Sequence, residues 1–297
     1  MRITLKRAIK RTALKGIEMP LGSTPAVASK VLRALNVDFG PIRDGMRYRQ
    51  GRHAVFCFSV DFDVTRPERG DPNKTGTLEL LRLSKAYRIP LTWAICGETA
   101  ENDLRLYHSI TDSEVPQEIG IHTYSHLDSQ SVSSDAFRAD LQRCLQVLNL
   151  KSRPKTFTFP WNREAHFEVL NEFGFRAFRG ASRAVGVPVQ CGGLWNIRPV
   201  YYIDQKSAGA SGLMKEYINL CREYSAVCHF WTHPWSIMGG NRSREMLESL
   251  NDVFDYVSSL RDASELETST LGDLAEWLDS SKGIGARAIE PHVSRPG

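Results

Sequence analysis

Short apolar runs that end in polar residues alternate with stretches of helical periodicity along most of this chain. That rhythm restricts the fold more than any other feature. His53 to Asp63 reads HAVFCFSVDFD, aromatic or β-branched at most positions before two carboxylates. A strand this apolar needs both faces covered, as in a parallel sheet. Further strands are predicted at Pro90 to Ile95, Glu118 to Thr123, Phe157 to Pro160, Phe175 to Phe178, Leu194 to Ile197 and Ala226 to Trp231. Helices are predicted between them, at Leu78 to Tyr87, Ser133 to Leu150, Ala165 to Phe173, Leu213 to Tyr224, Ser243 to Leu260 and Thr270 to Leu278. In the second of these a serine cap precedes one apolar stripe of Phe137, Leu141, Cys144, Leu145 and Leu148. The alternation implies an α/β fold, a parallel sheet covered by helices, closed as a barrel or doubly wound. No Gly-x-Gly-x-x-Gly follows the first strand and no Gly-x-x-x-x-Gly-Lys-Ser/Thr occurs, so dinucleotide and P-loop chemistry lose support.

Charge divides the chain. Arg2, Lys6, Arg7, Lys10, Arg11 and Lys15 precede the first acid, Glu18. These six exceed the net charge of +4 and leave −2 on the rest. A near-neutral body argues against a polyanion-binding face, and no nucleic-acid partner is expected. Charges break every apolar run near the start, so no secretory signal is read there, and no run is long enough to span a bilayer. The expected layout is a basic extension over 1–52, with a short helix at Ser23 to Leu35, one domain over 53–280 and a flexible tail over 281–297. Residues 2–15 are read as a solvated extension, with peripheral contact to an anionic membrane as the alternative. Cys57, Cys96, Cys144, Cys191, Cys221 and Cys228 form no Cys-x-x-Cys pair and lie mostly in apolar runs. They are read as reduced core thiols of a cytoplasmic protein.

Chemistry is expected at strand ends. Asp61 and Asp63 share a strand face, their α-carbons about 6.6 Å apart. One is suited to hold a metal and the other to take a proton from water; a pair of solvated turn residues is the bland alternative. His122 and His126 close the Glu118 to Thr123 strand at a spacing suited to a divalent ion with open positions. His229 and His233 repeat that spacing. His229 lies within its strand and is read as a core residue, whereas His233 at the strand end is the better proton donor. In Thr158-Phe159-Pro160-Trp161, the proline exposes the next N–H, which can stabilise an oxyanion.

In order, these segments resemble the NodB-homology polysaccharide deacetylases, a carbohydrate esterase family 4-like group. The family motifs are Thr-Phe-Asp-Asp-Gly, His-Ser/Thr-x-x-His, Arg-x-Pro-Tyr and Leu-x-x-His. The chain carries Ser59-Val60-Asp61-Phe62-Asp63, His122-Thr123-Tyr124-Ser125-His126, Thr158-Phe159-Pro160-Trp161 and Phe230-Trp231-Thr232-His233. The second match is full and the others are partial, and the resemblance covers roughly residues 53–278. It implies a distorted (β/α)7 barrel and metal-dependent removal of an N-acyl group from an amino sugar on a nucleotide, lipid or oligosaccharide carrier. It also implies a divalent ion on Asp63, His122 and His126, zinc first, with cobalt, manganese or nickel as alternatives. Asp61 becomes the base, His233 the acid and the Trp161 N–H an oxyanion donor; Tyr124, Pro160, Asn162 and Trp235 are expected to contact substrate. Trp161 and Trp235 are each suited either to stacking on a sugar or to core packing.

The departures from the family bear on these roles. Phe62 separates the two aspartates, as in the subgroup acting on lipid-linked sugars, so Asp61 and Asp63 could exchange roles. The motif arginine is replaced by Thr158, which leaves Arg163, Arg179 and Arg198 as candidates to orient the base. Two other readings stay open: an allantoinase-like hydrolase of cyclic amides on the same fold, and a carbohydrate-binding relative without turnover.

Overall fold

The computed structural model describes residues 26, 54–64, 67–180 and 188–281. The basic extension, the Ser23 to Leu35 helix apart from Ala26, and the tail beyond 281 lie outside the described residues.

The chain alternates as predicted. The elements are β1 (Val55–Phe62), α1 (Gly70–Tyr87), β2 (Thr92–Ile95), α2 (Gly97–Asn102), α3 (Leu104–Thr111), β3 (Glu118–Ile121), α4 (Ser134–Leu148), β4 (Thr156–Thr158), α5 (Phe167–Glu172) and β5 (Ala177–Arg179). There follow β6 (Val189–Cys191), β7 (Leu194–Asn196), β8 (Tyr201–Ile203), α6 (Ser211–Glu223), β9 (Val227–Thr232), α7 (Pro234–Met238), α8 (Ser243–Asp262), β10 (Glu267–Thr268) and α9 (Leu271–Ser281). The strands run β6-β7-β5-β4-β3-β2-β1-β9-β8, with β10 beside β1. All pairings are parallel except β6 with β7.

The sheet is strongly curled. β2, β3 and β4 separate β1 from β5, yet Arg179 of β5 bonds Asp61 of β1 directly. His229 of β9 likewise reaches the Ile197 carbonyl beyond β7, at the other end of the strand order. The strands thus enclose a shared interior, the barrel-like arrangement expected of an α/β chain of this type. β1 shows how its sequence serves both sides. Phe56, Phe58, Val60 and Phe62 pack outward into the main core under the helices, and Phe58 meets Phe254 of α8 edge-on at 5.3 Å. Val55 and Cys57 point into the barrel and join Leu271, Leu274 and Leu278 of α9, which plugs the lower end. Going up the same inward column, Ser59, Asp61 and Asp63 replace these apolar groups, so the interior turns polar toward the strands' C-terminal ends.

Local signals explain much of the rest. The Ser133 hydroxyl caps α4 by accepting from the Ala136 N–H, and Asp103 caps α3 by accepting from the Leu106 N–H. Helix α1 starts eight residues before the predicted Leu78, at Gly70. Its first turns contain Gly70, Pro72, Asn73 and Gly76, which disfavour a helix by propensity alone, and packing against α7 overrides that. A Cβ on Gly76 would sit 2.2 Å from the Pro234 carbonyl oxygen. Glycine here lets α7 approach closely, which places the His233–Trp235 turn over the barrel mouth. All six cysteines are free thiols, five of them buried and Cys191 half-buried.

Candidate active site

Strands β1, β3, β5 and β9 deliver the chemistry-bearing residues to one place. Asp61 is 3% exposed and Asp63 2%. Arg179, 1% exposed, donates to both oxygens of Asp61, each at 2.5 Å, and lies over the Trp231 ring at 4.0 Å. Asp63 Oδ2 instead faces His126 Nε2 at 3.1 Å and His122 Nε2 at 3.7 Å. His233 Nε2 stands 3.8 Å from Asp61 Oδ2 and 3.7 Å from Asp63 Oδ2. The two aspartates therefore differ in their partners: one is clamped by a guanidinium and the other is grouped with imidazoles.

Burial acts first on these groups. It would raise both carboxyls, but Arg179, helped by His122 and His233, holds Asp61 below its ordinary value. The neighbouring His122 and His126 imidazoles hold Asp63 well below. Burial lowers the pKa of His233, partly opposed by Asp61 and Asp63. Burial, aided by the Arg179 charge, pushes His229 down to about 3. His229 is fully buried between Ser59 Oγ at 2.8 Å and the Ile197 carbonyl at 3.0 Å. A carbonyl only accepts, so Nδ1 carries the proton and Nε2 accepts from Ser59. This is the satisfied core histidine expected from its place inside the strand.

Asp63, His122 and His126 each offer one ligand atom, all within 4.8 Å of one another. Bonds of about 2.0–2.2 Å at tetrahedral angles separate ligand atoms by roughly 3.3 Å, and the Asp63 separations of 3.1 and 3.7 Å bracket that value. His122 Nδ1 donates to the Thr158 carbonyl at 2.8 Å, which leaves Nε2 for an ion. The donor set fits a divalent cation.

The loop that carries both histidines has a support absent from the sequence reading. Asp140 of α4 accepts from the Tyr124 N–H at 2.6 Å, the Ser125 N–H at 3.2 Å and the Ser125 hydroxyl at 2.6 Å. Thr123 and His126 both have positive φ, 62° and 55°. These contacts hold a backbone that non-glycine residues seldom adopt.

Two expected substrate contacts are corrected. The Tyr124 hydroxyl bonds Glu101 and Arg143, each at 2.6 Å, and its ring lies beneath the Arg143 guanidinium. The positive φ at Thr123 ends the strand alternation and sends Tyr124 away from the carboxylates. Trp235 stacks on His233, ring centroids 4.3 Å apart, and Arg69 lies over its ring at 3.7 Å. These two groups pack on its ring. Its indole N–H donates to Asp63 Oδ1 at 3.0 Å, so it orients that carboxylate instead.

The remaining candidates sit at the mouth. Trp161 is 62% exposed and meets the His126 ring edge-on. Pro160 is buried beneath it, and half-buried Asn162 has an Oδ1 without a partner among the described residues. Of the three candidate arginines, Arg163 pairs with Asp128 at the surface, Arg198 follows β7, and Arg179 holds Asp61. A cleft of about 260 Å³, lined by Asp63, Cys96, Ser125, His126 and Trp161, opens over the cluster.

Comparison with known proteins agrees with this arrangement. Residues 59–178 match the family model described as polysaccharide deacetylase. Over that span the chain is similar to the polysaccharide deacetylases. No curated protein sequence matches the chain. Among solved structures, a Mycobacterium smegmatis protein described as a polysaccharide deacetylase aligns with TM-score 0.65 and 16% identity over 84% of this chain and 96% of its own. The allantoinase PuuE aligns with TM-score 0.60 and 12% identity over 81% and 95%. A carbohydrate esterase family 4 pseudoenzyme from Bacillus anthracis gives TM-score 0.50 and 15% identity over 75% and 66%. At these identities the likeness is one of fold, and the deacetylase-type curled parallel sheet is the fold they share.

Proposed function

We propose that this protein is a metal-dependent hydrolase that removes an N-acyl group, acetyl in the first instance, from an amino sugar. The observation that carries the reading is the division of labour around two carboxylates in one buried cluster. Asp61 is held by Arg179, Asp63 is grouped with His122 and His126, and His233 faces both carboxylates.

When bound to Asp63, His122 and His126, a divalent ion supplies Lewis-acid polarisation of the acyl carbonyl. Zinc suits a donor set of one carboxylate and two imidazoles. Asp61 serves as the base. Arg179 fixes both its oxygens in the ionised form, and Asp61 takes a proton as water forms the new C–O bond. The Asn162 and Arg163 N–H groups turn back to the Phe159 and Pro160 carbonyls at 3.1 and 3.2 Å, so the Trp161 N–H is the turn's donor for the developing oxyanion. His233 delivers a proton to the nitrogen as the C–N bond breaks, which yields a carboxylate and a free amine. Tyr202, whose hydroxyl lies 3.3 Å from His233 Nδ1, orients that ring. We place the activity in the cytoplasm, in keeping with six free thiols.

Acetate release by the zinc-loaded full chain, measured on nucleotide-, lipid- and oligosaccharide-linked acetamido sugars with allantoin in parallel, tests the reading. Acetate from at least one sugar, lost in Asp61→Asn and His233→Ala, is expected. Turnover of allantoin alone identifies a cyclic amide hydrolase. Sugar binding that persists without product in the presence of stoichiometric metal identifies a binding protein. Either result overturns the proposal.

A further inference from the structure

The turn that carries Trp161 is braced from a neighbouring segment. Trp161 and Asn162 have φ values of 58° and 54°. Non-glycine residues seldom adopt this region, and two in succession persist only where their surroundings hold them. The Asn162 and Arg163 N–H groups close the entry of the turn on the Phe159 and Pro160 carbonyls. Its exit is held from outside. The Ser129 hydroxyl donates to the Arg163 carbonyl, and the Gln130 side-chain amide donates to the Glu164 carbonyl at 3.2 Å.

The brace has its own internal support. Ser129–Ser131 is a short 3-10 turn, and Asp128 caps it. Asp128 Oδ1 accepts from the Gln130 N–H at 3.1 Å, and Oδ2 accepts from the Ser131 hydroxyl at 2.7 Å. This segment follows His126 closely, and the Leu127 N–H between them donates to Thr123 Oγ1 at 3.0 Å. The loop that presents His122 and His126 therefore continues into the brace for Trp161. Ser129 is 0% exposed. Burying a hydroxyl costs stability unless it is bonded, and alanine would avoid that cost; the bond to the Arg163 carbonyl accounts for serine at this place. The Asp128–Arg163 ion pair joins the same two segments, but the Arg163 side chain is 55% exposed and surface pairs contribute little. The buried hydroxyl is thus the stronger tie.

We propose that Ser129 is a positioning residue: acting through the Arg163 carbonyl, it fixes the Trp161 N–H relative to the loop that bears His122 and His126. A donor held in place before charge develops needs no reorganisation when the oxyanion forms. The proposal rests on the deacetylase reading for the reaction and on the Trp161 N–H as its oxyanion donor.

The test compares Ser129→Ala with the unaltered zinc-loaded full chain, using acetate release and isothermal titration with methylphosphonate, a tetrahedral anion that resembles hydrated acetyl. The kcat is expected to fall about 10–100-fold, and methylphosphonate to bind about tenfold more weakly. KM, and zinc affinity from chelator competition, are expected to stay within about threefold, the split that marks an interaction made in the transition state. Arg163→Ala, which keeps the carbonyl, is expected to change kcat by less than about threefold. Gln130→Ala, at an exposed position, removes the second tie and carries the test if Ser129→Ala does not fold; a kcat loss of about threefold or more at unchanged zinc affinity is expected there. The proposal is overturned if zinc affinity falls in step with kcat, since Ser129 would then merely hold the histidine loop. It is also overturned if Arg163→Ala reproduces the full loss, if the unaltered chain does not bind methylphosphonate, or if the folded variants match it in both readouts. Methylphosphonate binding that depends on Ser129 without any acetate release leaves the positioning role and removes the deacetylase reading. Acetate release indifferent to Ser129→Ala does the reverse.

Discussion

Replacing Arg179 by methionine strikes the most buried ion pair of the site. Arg179 and Asp61 are 1% and 3% exposed, and both carboxylate oxygens are engaged. The nearest other basic side chains, the imidazoles of His233 and His122, stand at 3.8 and 3.9 Å, beyond hydrogen-bond reach. Methionine can still cover Trp231, but Asp61 is left as an uncompensated buried charge. That costs about 3–5 kcal/mol, a large part of a typical total stability of roughly 5–15 kcal/mol. Adding Asp61→Asn removes the charge and leaves only an imperfectly paired amide, at about 1–3 kcal/mol. The double variant is therefore more stable than Arg179→Met alone, and the cycle shows a coupling of several kcal/mol. Urea denaturation of the metal-free full chain at neutral pH measures it. Arg179→Lys separates charge from geometry: it keeps a cation near Asp61 but loses the planar fork. It is expected to recover part of the stability while turnover stays depressed by roughly 10²-fold or more. Additivity of the two single changes within about 0.5 kcal/mol would refute the reasoning, because it would mean that Asp61 does not depend on Arg179.

Three further outcomes are expected. His229, pushed down to about 3 by burial, binds its proton only when the chain unfolds; its contribution is complete above the ordinary histidine value and is lost as pH falls. Between about pH 7.5 and 4.5 the unaltered protein should lose roughly 2–3 kcal/mol more than His229→Gln in urea denaturation series, and identical pH profiles would count against the buried neutral ring. Asp140→Ala frees the Tyr124 and Ser125 N–H groups, so zinc affinity measured by chelator competition should fall about 10–100-fold, whereas Asp140→Asn should lose less. Trp161, being 62% exposed, should tolerate alanine with a stability change within about 0.5 kcal/mol but with a raised KM; an unchanged KM removes it from the substrate surface.

The sequence pattern made some parts of this molecule legible. The β1 run, the serine cap and apolar stripe of α4, and the His122–His126 loop each carry a local signal that survives without tertiary context. Helices α2 and α3 escaped because six and eight residues offer too short a window for periodicity. β8 is three residues long and is recruited by pairing with β9. Tyr124 was expected at the substrate from its place within the His-Thr-x-x-His motif, but the positive φ at Thr123, a conformation no local signal announces, turns it toward Glu101 and Arg143. Arg179 did carry a signal: it alternates with Ala177 on a strand, and Ala177 belongs to the inner core. What hid it was distance, since its partner lies 118 residues earlier.

The exchange ambiguity between Asp61 and Asp63 shows where such reading ends. A spacing of two places both carboxylates on one face and makes them equivalent to any argument from periodicity. They differ in height within the barrel, and height has meaning only once the sheet has curled. Asp61 is the last inward side chain within β1, level with the end of β5, and so meets the guanidinium that ends that strand. Asp63 lies just beyond β1, level with the loop after β3 and the turn before α7, and so meets His126 and the indole of Trp235. The same column runs from Val55 and Cys57 against α9, through Ser59 on His229, to these two groups. One strand thereby grades from plug to chemistry, and each carboxylate takes its character from the strand or loop that the curl brings to its level.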